Sequence, residues 1–310
     1  MRRGTLRKSL WGVTLALAIG GAGGCNGLVT GKLADALGGS GTGFASDDDP
    51  ELVAGAVPFA LKTMEQLLPE QPKHVGLLTS LTSGFTQYGY AFVQQDADRL
   101  EDKDITLATA KRIRARRLYL RARDYGLRGL EVNHEGLTRK LLDTKHEGLP
   151  AALAPLDKDD LPLLYWTAAA WALAISDGKD NMPLVAQLPS VEAMMTRALA
   201  IDESWDEGSI HEFWVAYDGG RSEADGGGAK KAQAHLDRAR ALSHGKKLGG
   251  LVSYAESVSV SAQDKATFRK LLDEVVAFDA DTDPPHRLAN LIAQQRARWL
   301  LERQTELFAE

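Results

Sequence analysis

From residue 50 onward the apolar positions recur at intervals of three and four almost without a break, the spacing of helices that bury one face. The pattern predicts helices over about 50–68, 73–98, 105–131, 135–146, 160–176, 189–201, 206–217, 229–243, 247–261, 264–278 and 284–308. No run of alternating β-branched residues calls for a strand, so the expected fold class is all-α. Pro69, Pro72, Pro162, Pro183, Pro189, Pro284 and Pro285 fall at segment edges, where prolines stop or start helices. The first helix has a clear start. Asp49 stands at the N-cap, Pro50 at the first helical position, and Glu51 where a negative charge meets the helix dipole favourably.

Some of these helices echo one another. MMTRALAID (194–202) aligns with HLDRARALS (235–243) and LLDEVVAFD (271–279). The aligned positions are Met195/Leu236/Leu272, Ala198/Ala239/Val275, Ala200/Ala241/Ala277 and Ile201/Leu242/Phe278, at offsets of 41 and 36 residues. Helical hairpin repeats of the tetratricopeptide class recur at about 34 residues. The expected architecture is therefore a tetratricopeptide-like α-solenoid with extended loops, and LYLRARDYGLRGLEV (118–132) reads as a more diverged copy.

The stretch GFTQYGYAFVQQDAD (84–98) fits the same scheme. On a helix Leu81, Phe85, Tyr88 and Phe92 make one stripe, and Gly84 and Ala91 beside it admit a close neighbour. Most of these aromatics are packing. Gln87, Tyr90 and Gln94 lie off the stripe and are expected to face a concave surface.

The N-terminus has a different character. MRRGTLRK is basic, LWGVTLALAIG (10–20) is apolar but too short to span a bilayer, and GAGGC (21–25) is small. This is the layout of a secretory signal over 1–24. Ala22-Gly23-Gly24-Cys25 resembles a bacterial lipobox, with Ala22 where that pattern has Leu, so Cys25 is the expected lipidation site. Asn26 leaves export to the outer membrane open. Residues 25–46, rich in Gly, Ser, Thr and Ala, read as a lipidated start and flexible tether, and 47–310 as a single helical domain.

Composition narrows the function classes. The 310-residue chain is 44% hydrophobic and 25% charged, with a formal net charge of −5. It has no basic excess, so nucleic acid is not an expected partner. The histidines at 74, 134, 146, 211, 235, 244 and 286 make no close metal pair, no Gly-x-Ser-x-Gly occurs, and the one cysteine lies outside the fold. DADTDPPHRLAN (279–290) begins like a calcium loop but has Pro284 and Asn290 where Gly and Glu are needed; Asp283 capping a helix explains it better. DGGGAKK (225–231) lacks phosphate-loop spacing. No catalytic residue, metal or cofactor is expected.

Binding chemistry is concentrated in three places. LPLLYWTAAAWALAI (161–175) is apolar on every side, as in a central helix or the wall of an apolar cavity; Tyr165, Trp166 and Trp171 offer stacking area, and Asp180 follows in the loop. With Gln87, Tyr88 and Tyr90 these are the ligand-cleft candidates. Arg114, Arg117 and Arg121 share a helix face and form a cationic patch for an acidic partner in an otherwise acidic protein. His211-Glu212 before Phe213-Trp214 reads as a partner-facing or capped pair.

Taken in order, GFTQYGYAFVQQDAD, RLYLRARDYGLRGLE (117–131), YWTAAAWALAISDGKD (165–180), SYAESVSVSAQD (253–264) and RLANLIAQQRARWLLER (287–303) resemble the T-component of tripartite ATP-independent periplasmic (TRAP) transporters, over about 47–308. The resemblance implies a bacterial lipoprotein of tetratricopeptide-like fold. It implies a homotrimer with a ligand cleft in each protomer and a central pore, paired with a periplasmic solute-binding protein. It implies no enzyme. The expected function is docking of that solute-binding protein and holding or passing a small apolar ligand, at the periplasmic side of the outer membrane. The alternative is a repeat scaffold that assembles envelope proteins or binds peptides in its groove.

Overall fold

The computed structural model describes residues 42–308, and among them there is no strand. The helices are α1 Thr42–Ala45, α2 Pro50–Leu67, α3 Val75–Tyr88, α4 Gln95–Leu100, α5 Ile105–Asn133, α6 Leu137–Leu141, α7 Leu149–Leu153 and α8 Leu161–Ser176. They continue as α9 Met182–Val185, α10 Leu188–Ile201, α11 Ser209–Gly219, α12 Ala229–Leu242, α13 Gly249–Tyr254, α14 Lys265–Ala277, α15 Arg287–Glu302 and α16 Gln304–Leu307. The signal, Cys25 and most of the tether lie outside the described residues. None of the described helices is long and apolar enough to cross a membrane.

Local chemistry sets many of the boundaries. Asp49 Oδ1 accepts from the amides of Glu51 and Leu52 at 3.0 Å, with Pro50 at the first position of α2. Asp104 caps α5 and Asp264 caps α14 in the same way. Asp283 departs from expectation. It precedes the short 3-10 turn Pro284–His286, but its carboxylate takes His286 Nδ1 at 2.6 Å instead of capping a backbone amide.

The regular periodicity hides two local departures. The predicted helix 73–98 is broken by a π-helical segment, Gly89–Gln94, and the predicted helix 247–261 by another, Ala255–Ser259. A π turn adds one residue to the helical circuit, so the side chains beyond it rotate off the preceding stripe. The segment 135–146 contracts to α6, and α7 and α9 are short helices that the pattern did not separate from loops.

Three groups of buried apolar side chains form the interior, two of them side by side around α8 and the third along the C-terminal helices. The first joins α5, α8 and α10 through Tyr119, Leu164, Trp171, Met194 and Met195; a neighbouring group, with Leu61, Leu78 and Phe85, holds α2 and α3 against it. The third includes Leu236, Leu251, Phe268, Leu272, Val275 and Leu300. α11 bridges the first and the third, with Ile210 in the first and Val215 in the third. In the C-terminal half each helix from α11 to α15 packs on the next in chain order. The three sequence echoes share a burial pattern. Met195, Leu236 and Leu272 are buried, as are Ala198, Ala239 and Val275, while Ala200, Ala241 and Ala277 are exposed.

Candidate functional site

The two π-helical segments face one another across a cleft between the N-terminal helices and the C-terminal ones. Gln94 closes the first segment and Glu256 lies in the second, and both line a cavity of about 340 Å³. α4 contributes Asp98, α5 contributes Arg112, and α15 contributes Arg296 and Trp299. π turns recur at functional sites because they redirect side chains without ending the helix.

Charge holds this cleft together. Arg296 is 8% exposed and reaches Asp98 Oδ2 at 2.9 Å and the Glu256 carboxylate through two nitrogens. Its guanidinium also lies 4.2 Å from the centre of the Trp299 ring, with Arg303 at 4.9 Å from the same ring. Arg112 pairs with Asp98 at 3.1 Å and with Glu101 through two nitrogens. Each of these acids and bases is therefore matched, and the cleft is polar but internally neutralised.

Tyr90, in the first π segment, lies close to the charged groups of this cleft without lining the cavity itself. Its side chain is 37% exposed, yet burial, with the carboxylates of Glu256 and Asp98 nearby, pushes its hydroxyl up to about 12 against the pull of Arg296. Beneath Tyr90 the Tyr119 hydroxyl donates to Gln94 Oε1 at 2.5 Å. A Cβ on Gly89 would fall 2.7 Å from the Tyr119 ring, so the start of the π segment needs glycine for space.

The remaining cleft candidates are dispersed. Tyr88 is half-buried at the end of α3, packed against the core, 5.8 Å from Phe92 and with the Arg114 guanidinium 5.8 Å over its ring; Gln87 beside it is exposed. Tyr165 is buried against Trp166 and Trp205, with ring centres 5.0 and 4.7 Å away, and burial near Glu212 and Asp206 holds its hydroxyl far above the usual range. Trp171 is fully buried and donates its indole N–H to Gln187 Oε1 at 2.9 Å. Asp180 pairs with Arg116 at 3.0 Å at the surface. The residues brought together at the cleft are thus Gln94, with Tyr90 nearby, joined by Asp98, Arg112, Glu256, Arg296 and Trp299, which the sequence pattern did not single out. Arg296 and Trp299 lie on α15, remote in sequence from α4, and nothing local marks them as its partners.

The partner-surface candidates do share a face. Arg114 and Arg117 are exposed on α5, and Arg121, half exposed, stands 5.4 Å over the Phe85 ring and 3.6 Å from Glu65. Tyr125 donates to the other side of that cluster, at 2.6 Å from Glu65.

The chain is 29% identical over 271 residues to an uncharacterized protein of Treponema pallidum (strain Nichols), an alignment that covers 86% of this chain and 83% of that one. The sequence profile of the TRAP transporter T-component matches residues 46–308, which take in every element of the cleft and of the arginine face; the chain belongs to the TRAP transporter T-component family.

Proposed function

We propose that this protein is a non-catalytic, lipid-anchored accessory component of TRAP-type solute uptake in the bacterial envelope. Its helices form a tetratricopeptide-like solenoid, and the protomers assemble as a homotrimer. It docks a periplasmic solute-binding protein and receives a small ligand in the cleft between the two π-helical segments. The observation that carries this reading is the cleft itself, about 340 Å³ with Gln94 and Trp299 in its wall, in a chain whose family works alongside a transporter. The neutralised charges adapt the earlier expectation of an apolar ligand, since Asp98, Arg112, Glu256 and Arg296 give the wall a polar side. Arg114, Arg117 and Arg121 form the docking face for an acidic partner.

Co-purification of the tagged chain with the TRAP solute-binding protein from the same cell tests the docking. Arg114→Glu, Arg117→Glu and Arg121→Glu together are expected to lower the association rate at low salt and to reverse its salt dependence, because screening then relieves repulsion from the acidic partner. Unchanged binding in that variant would remove the arginine face from the reading, and no co-purification in the wild type would remove the partner.

A further inference from the structure

His211 lies in the first turn of α11 and His235 in the middle of α12, and the packing of these helices brings their rings together. The Nδ1 atoms are 2.8 Å apart and the ring centres 5.1 Å. Each outer nitrogen faces a carboxylate. His211 Nε2 lies 3.2 Å from Glu203 Oε2, and His235 Nε2 lies 3.7 Å from Asp218 Oδ2. His211 and Asp218 are buried, and Trp214 stacks on the His235 ring at 5.9 Å. The result is a row of carboxylate, imidazole, imidazole and carboxylate, on the helix that bridges two of the cores.

The number of protons in this row follows from hydrogen-bond stereochemistry. A neutral imidazole has one N–H and one bare nitrogen. If both neutral rings turn their N–H outward to the carboxylates, two Nδ1 lone pairs oppose each other at 2.8 Å. If one neutral ring turns its N–H inward, its bare Nε2 faces a carboxylate in a buried setting. Two imidazolium rings would oppose two N–H groups and two charges. With one proton beyond the neutral pair no lone pairs and no N–H groups oppose each other: His211 donates from both nitrogens, to Glu203 and to His235, and His235 accepts inward while its Nε2–H is turned toward Asp218 at the longer ion-pair distance of 3.7 Å. The 2.8 Å separation lies in the range of a hydrogen bond.

We infer that His211 and His235 form a one-proton binding site, an imidazole–imidazolium pair that holds a single positive charge between Glu203 and Asp218 in the folded protein. A divalent cation is the other Lewis acid that two inward nitrogens could share. Tetrahedral nitrogen ligands at zinc, however, stand about 3.3 Å apart. Among the described residues no further His, Cys, Asp or Glu completes a metal-binding group here.

The surrounding charges limit the site to one proton. Arg238 and Lys231 face the pair from α12, Glu203 from the connection between α10 and α11, and Asp218 from the end of α11, with Arg221 and, on α10, Glu192 behind it. Burial and then the His211 charge push His235 down to about 4, so a second proton is resisted. Burial holds His211 below the usual imidazole range, and Glu203 offsets part of that; the short contact with His235 offers the His211 proton an acceptor.

Proton linkage tests this directly. Stability rises with pH where the unfolded chain binds more protons than the folded one, and falls where it binds fewer. Two unfolded imidazoles together hold one proton at about pH 6.5. The stability of the full chain relative to a His211→Asn/His235→Asn double variant should therefore peak near that pH. Above it the ratio of folding constants should fall by up to about tenfold per pH unit, until the pair releases its proton. A difference that only rises from pH 5 to 8 would mean a neutral pair and overturn the inference. Should the double variant fail to fold, nitrogen-15 NMR of the histidine-labelled wild type decides. Expected are protonated Nε2 atoms on both rings and a scalar coupling between the two Nδ1 atoms. A bare Nε2 at pH 7, or one equivalent of divalent metal in the purified protein that a chelator removes, would overturn it.

Discussion

Arg296 and Asp98 stand 198 positions apart in the chain and meet at 2.9 Å across the cleft. The same guanidinium holds Glu256, so one largely buried cation ties α4, the second π segment and α15 together. Removing one partner of such a group costs more than the pair is worth, because the remaining charges stay desolvated. Arg296→Met keeps the stem against Trp299 and deletes the charge; a loss of about 2–4 kcal/mol in urea unfolding is expected. Asp98→Asn should cost less, about 1 kcal/mol, since Arg296 retains Glu256 and Arg112 retains Glu101. The reverse order would mean that the clamp is not centred on Arg296.

A second charge in this region is left unmatched. Asp177 follows the last turn of α8, where the helix dipole already disfavours an anion, and its Oδ2 is buried without a hydrogen-bond partner among the described residues. Burial, and then the nearby Asp98 charge, raises its carboxyl to about 6. The folded pKa lies above the unfolded one, so the folded state binds the proton more tightly. Stability from this group is present at low pH and is lost as pH rises through about 4 to 6. Asp177→Asn is therefore expected to be more stable than the wild type at pH 7.5, by on the order of 1–2 kcal/mol after allowance for partial solvation, and equal to it below about pH 4. Urea midpoints at the two pH values check this. A difference independent of pH would assign the effect to packing.

These relationships mark where sequence reasoning stops. The helices are legible because their causes are local. Asp49 and Pro50 start α2, and the three- and four-residue spacing of Leu77, Leu78, Leu81 and Phe85 fixes the buried face of α3. Tyr90 and Gln94 could be set apart because they fall off that stripe. Their counterparts could not. The π insertion at Gly89–Gln94 shifts the register by one residue inside an unbroken apolar pattern, and Glu256, Arg296 and Trp299 reach the cleft through packing of distant segments. Trp171 shows the converse: an apolar-all-round helix looks alike from sequence whether it fills a core or lines a cavity, and here its indole ends on Gln187.

Close packing gives two glycines opposite responses. A Cβ on Gly126 would fall 2.0 Å from Thr167 Oγ1 and 3.0 Å from Thr82 Cγ2, at the seam where α3, α5 and α8 meet. Thr167 is fully buried and its hydroxyl donates to the Leu163 carbonyl at 2.5 Å, so it cannot turn away freely. Gly126→Ala is expected to lose about 1–3 kcal/mol through overpacking, more than the roughly 1 kcal/mol that alanine gains in a helix. Gly55, in α2, has nothing within 4 Å of the same atom. Gly55→Ala should raise the thermal midpoint, by roughly 0.5–1 kcal/mol in stability. Calorimetry of both variants gives shifts of opposite sign if the seam is as tight as described.

The outer face of α2 carries the last expectation. Leu52 is 63% exposed and Phe59 77%, and the exposed Gly55 and Ala56 between them continue the same side of the helix. Two large apolar side chains two turns apart, with small residues between, leave a strip that water covers poorly and that another flat surface could cover well. In the proposed homotrimer this strip is a natural contact, since nothing among the described residues shields it. Leu52→Ser with Phe59→Ser removes apolar area that the folded monomer does not bury. Unfolding of the monomer should therefore change by less than about 0.5 kcal/mol. Light scattering at micromolar concentration should show a trimer mass for the wild type and a monomer mass for the double variant. A variant that remains trimeric would place the contact elsewhere, and a monomeric wild type would remove the trimer from the proposed function.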